Sequence, residues 1–151
     1  MKKMLVHHYP IWYEQANFLI AAKINQNYQP AIEQWEQLWV QQLPNDRYKI
    51  CCIPFFTYGL ALGDEVEIDE THVVQRVVTN SGYRIFRVWL YDIEIRENLL
   101  TTVSKLGCLS EAQVPDGKLI AVATNSQWQT EQLLNFLRAK NLVGELIFEE
   151  G

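Results

Sequence analysis

Tyr83-Arg84-Ile85-Phe86-Arg87-Val88-Trp89-Leu90-Tyr91 is the stretch on which the fold turns. Side chains alternate across an extended strand. Phe86, Val88 and Leu90 therefore share one face, and Ile85, Arg87, Trp89 and Tyr91 share the other. Downstream, Ile95, Leu99, Val103 and Leu106 recur at helical spacing, with Asp92 placed to cap the start and Gly107 placed to stop the helix. Residues 108–112 form a short strand candidate, followed by the turn Val114-Pro115-Asp116-Gly117. Residues 118–124 read as a more buried strand. Ser126-Gln127-Trp128-Gln129 is a capping box that opens a helix faced by Leu133, Leu134, Phe136 and Leu137. Asn141 is a candidate end for it, and residues 145–149 close as a last strand. The order is β-α-β-β-α-β, the ferredoxin-like arrangement. Right-handed crossovers then place both helices on one face of a four-stranded antiparallel sheet. The face with Ile85, Arg87, Trp89 and Tyr91 is too apolar for water, and the N-terminal half is expected to cover it.

Upstream, the pattern is mostly β. Residues 17–24 and 48–53 read as strands, and Glu65–Ile68 with residues 73–79 read as a hairpin. Ile32, Trp35, Leu38 and Trp39 have helical spacing, while Trp35, Gln37 and Trp39 also fit a strand. Gln and Glu tip that reading toward helix. The expected architecture is α+β: a mostly antiparallel β half, residues 1–80, packed on a ferredoxin-like βαββαβ half, residues 81–151, as one compact unit.

The chain has 151 residues, of which 48% are hydrophobic and five are Trp. That is globular composition, able to bury a core without staples. No apolar run approaches the ~20 residues of a membrane span. The start, Met1-Lys2-Lys3-Met4-Leu5-Val6, runs into His7, His8 and Glu14 with no signal-peptide core, so a cytoplasmic protein is expected. Cys51, Cys52 and Cys108 do not form a disulfide framework and read as reduced core thiols. The net charge of −5 disfavours nonspecific nucleic-acid binding and suits a basic protein partner.

Residues 35–151 resemble a bacterial family of uncharacterised domains, number 4265 in the domain-of-unknown-function series. The resemblance rests on Glu36-Gln37-Leu38-Trp39, Arg47-Tyr48, Ile53-Pro54-Phe55-Phe56, Gly59, Gly63-Asp64, Ser81-Gly82, Arg87, Gly107-Cys108 and Glu111. It implies a strand around residues 36–41, against the helical reading. It brings no reaction and no catalytic residues. Proteins of this type look like the small partners of secreted bacterial toxins, some of which act as immunity proteins.

Adjacent histidines, or adjacent cysteines, face opposite ways on a strand, and no CxxC, HxH or HExxH spacing occurs, so no metal or cofactor is expected. Gly59-Leu60-Ala61-Leu62-Gly63-Asp64 lacks the Lys and Ser/Thr of a phosphate loop. Cys108 with His72 is the one thinkable nucleophile pair, and nothing in the spacing brings them together. Arg87, on an inward face, requires a carboxylate partner, for which Asp64 and Glu111 are the candidates. The run Asp64, Glu65, Glu67, Asp69 and Glu70 reads as a solvated hairpin or as a contact surface for a basic partner, joined by Glu149 and Glu150. Asp64 alternatively caps a turn. Trp12, Tyr13, Tyr58 and Trp128 are candidate aromatic anchors, while Trp35, Trp39 and Trp89 read as core. The functional expectation is a non-enzymatic immunity protein that occludes the active or substrate-binding surface of a cognate basic toxin, with no nucleic-acid or membrane partner. The alternative is a small-molecule-binding or regulatory module with its ligand between the halves.

Overall fold

The computed structural model describes residues 2–24 and 33–151. The chain divides into two compact units, Met1–Ser81 and Gly82–Gly151. With two helices and ten strands among the described residues, the fold is α+β.

The first unit contains β1 (Lys2–Leu5), β2 (Phe18–Lys23), β3 (Glu33–Leu43), β4 (Arg47–Ile50), β5 (Glu65–Ile68) and β6 (Val74–Thr79). The long β3 organises it. β2 pairs with β3 through Phe18↔Val40 to Lys23↔Trp35, and β4 pairs with its far end through Val40↔Ile50 to Leu43↔Arg47. β1 runs parallel to the first residues of β3, from Lys2↔Glu33 to Leu5↔Glu36. β4, β5 and β6 follow as antiparallel neighbours. A bridge between Ala21 and Val73, with the Ala21 amide donating to His72 O at 2.9 Å, joins β2 to the start of β6. The five strands β2 to β6 thereby close into a small barrel. Its interior holds Ile20, Ala22, Leu38, Val40, Ile50, Cys52 and Val66.

The helical spacing around Trp35 is overruled: these residues lie in β3, and Ile32 lies outside the described residues. Ladder partners on both edges of β3 outweigh a weak local helix preference. The alternation that wins is Glu36, Leu38 and Val40, all buried.

The second unit contains β7 (Arg84–Leu90), α1 (Ile95–Lys105), β8 (Leu109–Ala112), β9 (Leu119–Thr124), α2 (Gln127–Leu142) and β10 (Leu146–Glu150). The sheet order β10-β7-β9-β8 is ferredoxin-like. Ile95, Leu99 and Val103 of α1 and Leu133 and Leu137 of α2 pack with Phe86, Val88, Leu90, Ile120, Val122 and Leu146, so both helices cover one face. Ser126 Oγ accepts from the Gln129 amide at 3.1 Å, and Gln129 Oε1 reaches back to the Asn125 amide at 2.8 Å, one residue earlier than a standard capping box. Gly144, at φ +74°, ends α2 in place of Asn141, because glycine adopts the left-handed conformation without strain. Among the described residues, no helix is long and apolar enough to cross a membrane.

Candidate functional site

A charged residue on the buried phase of a strand demands an explanation, and Glu36 on β3 has one. Its Oε2 lies 2.6 Å from His7 Nε2 and accepts from the Phe55 amide at 2.7 Å. Its Oε1 accepts from the amides of Phe56 and Thr57 at 3.0 and 2.9 Å and from Thr57 Oγ1 at 2.8 Å. Successive amides turned toward one point form an anion-binding nest, and here the anion is a side chain of the same molecule. The His7 ring stacks on Phe55 with centroids 4.6 Å apart, and its carbonyl accepts from Trp39 Nε1 at 3.0 Å. Burial pushes the Glu36 carboxyl up, but His7 and the amides of Phe55 and Phe56 more than offset this and leave it below the usual glutamate range. The cluster ties three separate segments together: the residues after β1, the start of β3, and the Ile53-Pro54-Phe55-Phe56 stretch.

Sequence reasoning missed this site. In the sequence His7 stands out only beside His8 as a metal candidate, and Glu36 only within the family motif. The available signal was Glu36 standing in phase with Leu38 and Val40.

Asp64 departs from the expected acidic surface. It is 3% exposed, and its carboxylate oxygens accept from the amides of Ala61 (2.9 Å) and Ser81 (2.8 Å). Of its candidate roles the turn cap is the one these bonds describe, since the two amides engage both carboxylate oxygens. The cap lies where Gly63, at φ +83°, brings the backbone so close to Ser81 that a Cβ would sit 3.0 Å from Ser81 Cβ. That approach explains why glycine stands beside Asp64.

Much of the remaining run is engaged within the hairpin. Glu67 pairs with Arg76 (2.8 Å) and Arg47 (3.5 Å), and the Arg76 guanidinium holds its carboxyl below the ordinary range. Asp69 accepts from the Thr71 hydroxyl, from the amides of Thr71 and Val73, and from Gln75, which lower its pKa likewise. Glu65 opposes Lys49 in the ladder, and Glu70 is exposed. Glu150 grips Arg84 through two bonds of 2.5 and 2.7 Å.

Arg87 is fully buried on the sheet face away from the helices. The register sets Glu149, Arg87, Ala121 and Glu111 in one row across β10, β7, β9 and β8. Glu111 is buried too, and Arg87 Nη1 donates to Gly151 O at 3.3 Å. Of the aromatic candidates, Tyr13, Tyr58 and Trp128 are exposed, whereas Trp12 is half-buried with Lys49 Nζ 5.7 Å from its ring. Cys108 sits in the core between helices and sheet, where burial raises its thiol pKa, while His72 is exposed on the turn before β6. Burial pushes Cys51 up to about 11.

A family model described as a domain of unknown function, DUF4265, matches residues 36–146. No curated protein matches the chain. The crystal structure of a hypothetical protein from Neisseria gonorrhoeae shares the fold, with a TM-score of 0.73 at 17% identity, covering 88% of this chain and 94% of that one.

Proposed function

Since the chain belongs to the DUF4265 family of domains of unknown function, we propose a role as a binding protein, namely an immunity protein that neutralises a cognate bacterial toxin in the cytoplasm. The observation that supports this reading is the exposure of the large aromatics Tyr13 and Trp128, at 63% and 58%, with Tyr58 exposed in part. Trp and Tyr are the residues most enriched at interface hot spots, where they bring large contact area at low entropic cost. The clustered carboxylates have a different part. Glu36, Asp64, Glu67 and Asp69 hold loops and strands in place, so charge steers a basic partner through the net −5 of the chain. Inhibition is steric: an interface of roughly 800 Å² per partner is enough to cover a catalytic cleft.

Co-expression with the product of the adjacent reading frame is the test. The expected result is a stable one-to-one complex, weakened by salt, in which the partner's activity is lost. A partner that stays fully active when saturated with this protein refutes the proposal.

A further inference from the structure

The ladder between β10 and β7 fixes which backbone groups of β10 face outward. Tyr91 N donates to Glu145 O at 3.0 Å, and Gly151 N donates to Ile85 O at 3.1 Å. Between these ends the register sets Ile147 opposite Trp89 and Glu149 opposite Arg87. Bonded and non-bonded pairs alternate in an antiparallel ladder. Residues 145, 147, 149 and 151 therefore bond to β7, while Leu146, Phe148 and Glu150 turn their amides and carbonyls to the open side. Leu146 O accepts from Asn141 Nδ2 at 2.9 Å. Phe148 and Glu150 remain on an edge with which no described strand pairs.

The same corner gathers exposed apolar side chains: Leu142 is 87% exposed, Val143 67%, Tyr91 67% and Ile147 41%. Backbone bonds join the ends of β7 and β10 here, since the amides of Tyr91 and Asp92 both donate to Glu145 O, at 3.0 and 3.3 Å; Leu142 and Val143 belong to the end of α2, on the other side of the sheet. Asp92, whose Oδ1 accepts from the Glu94 amide at 3.0 Å, and Glu94 are exposed beside it, while Glu145 is paired with Lys140 at 3.7 Å and Lys118 is exposed next to Leu90. The corner is apolar with an acidic rim. An open strand edge takes only another extended chain, because only that satisfies a row of outward amides and carbonyls.

We infer that β10 and this corner dock an extended segment of a protein partner, apolar with interspersed Lys or Arg, as an added strand of the sheet. Its apolar side chains lie beside Ile147 and Tyr91, and its cations meet the exposed carboxylates of Asp92 and Glu94. The inference rests on the binding function proposed above and names its surface.

The direct test adds a capped peptide of alternating Val and Lys to the full-length protein and follows backbone amide exchange by NMR, with an alternating Val and Glu peptide as control. In the free protein the Ile147 and Glu149 amides are protected and those of Phe148 and Glu150 exchange fast. The basic peptide is expected to protect Phe148 and Glu150, and the acidic peptide to leave them unchanged. Ile147→Lys should weaken the peptide at least tenfold. Glu150→Pro, which removes an outward amide together with the Arg84 pair, should do the same, and its control Glu150→Ala, which removes the pair alone, should not. Unchanged exchange at 148 and 150, or undiminished binding to Ile147→Lys or Glu150→Pro, overturns the inference. So does protection of these amides in the free protein that rises with its own concentration alongside a dimer in sedimentation, since a second copy is then the occupant. In co-expression, an Ile147→Lys protein that captures the adjacent-gene product as well as the parent does refutes the surface and leaves the binding function standing. Absence of any complex with the parent protein refutes that function, while the peptide result decides the edge.

Discussion

Replacing Glu36 by Gln keeps the shape of the side chain and removes its charge, so it isolates what the carboxylate does. The best placement of the amide keeps its carbonyl where Oε1 accepts from Phe56 N, Thr57 N and Thr57 Oγ1. The new NH2 then faces His7 Nε2 and the Phe55 amide. The Phe55 N–H has no alternative acceptor on this side chain and is left buried beside another donor. An unsatisfied buried donor costs about 1–3 kcal/mol. Three bonds that lose charge assistance add about 0.5–1 kcal/mol each, and the relief of a buried charge returns part of this. The expected net loss is about 2–4 kcal/mol, a shift of roughly 1 M or more in the urea midpoint at unchanged slope. Hydrogen exchange gives the local readout: the Phe55 amide is protected in the parent and loses protection selectively in Glu36→Gln.

The pH dependence carries a sign that follows from the same bonds. The folded Glu36 carboxyl lies below its ordinary value, because His7 and the amides outweigh burial. A depressed acid contributes stability that is fully present above the unfolded pKa, about 4.3, and is lost as pH falls through the folded value. The stability gap between parent and Glu36→Gln should therefore stand at its full size above about pH 5 and narrow below about pH 4. A loss under 0.5 kcal/mol with the Phe55 amide still protected, or a gap that widens in acid, refutes the argument.

Gly63→Ala combines a left-handed backbone with a Cβ 3.0 Å from Ser81 Cβ, so it should lower stability by about 1–3 kcal/mol. Gly59→Ala, at φ +80° with nothing within 4 Å, should cost the smaller share, about 1 kcal/mol, and paired urea titrations give the difference. Ser126→Ala removes the cap of α2 and should cost about 1 kcal/mol, read by thermal unfolding of the full chain. Cys51, held protonated to about 11, should resist alkylation at pH 8 in native buffer and react at once in denaturant; rapid native labelling speaks against its burial.

The second unit was legible because each element announces itself within a few residues. Alternation marks Arg84–Leu90, four-residue spacing marks Ile95–Lys105, and Ser126 and Gly107 mark ends that the backbone uses. The first unit was harder, because β3 owes its conformation to three other strands rather than to its own propensities. The His7–Glu36 pair joins residues 29 apart, a separation at which no local pattern links an imidazole to a carboxylate. Arg87 shows the intermediate case. Alternation placed it on the buried face with a carboxylate as its need, and Glu111 does lie in its row, but Glu149 emerged only from the β10 register.

Charge density in a sequence says where carboxylates are, not what they do. Asp64, Glu67 and Asp69 read as one acidic stripe, yet one is a buried loop cap, one answers two arginines, and one closes a tight turn. The buried cap withdraws Asp64 from any partner, whereas the exposed bonds of Glu67 and Asp69 only weaken a partner's hold on those carboxylates. Under the proposed binding role, recognition then falls to the exposed Tyr and Trp rings, the apolar side chains around Ile147, and the outward amides of β10. A partner that reads those groups loses affinity when backbone pairing or apolar area is removed, and only modestly when single surface carboxylates are neutralised. Glu67→Gln and Ile147→Lys thus separate a charge-driven interface from a strand-driven one.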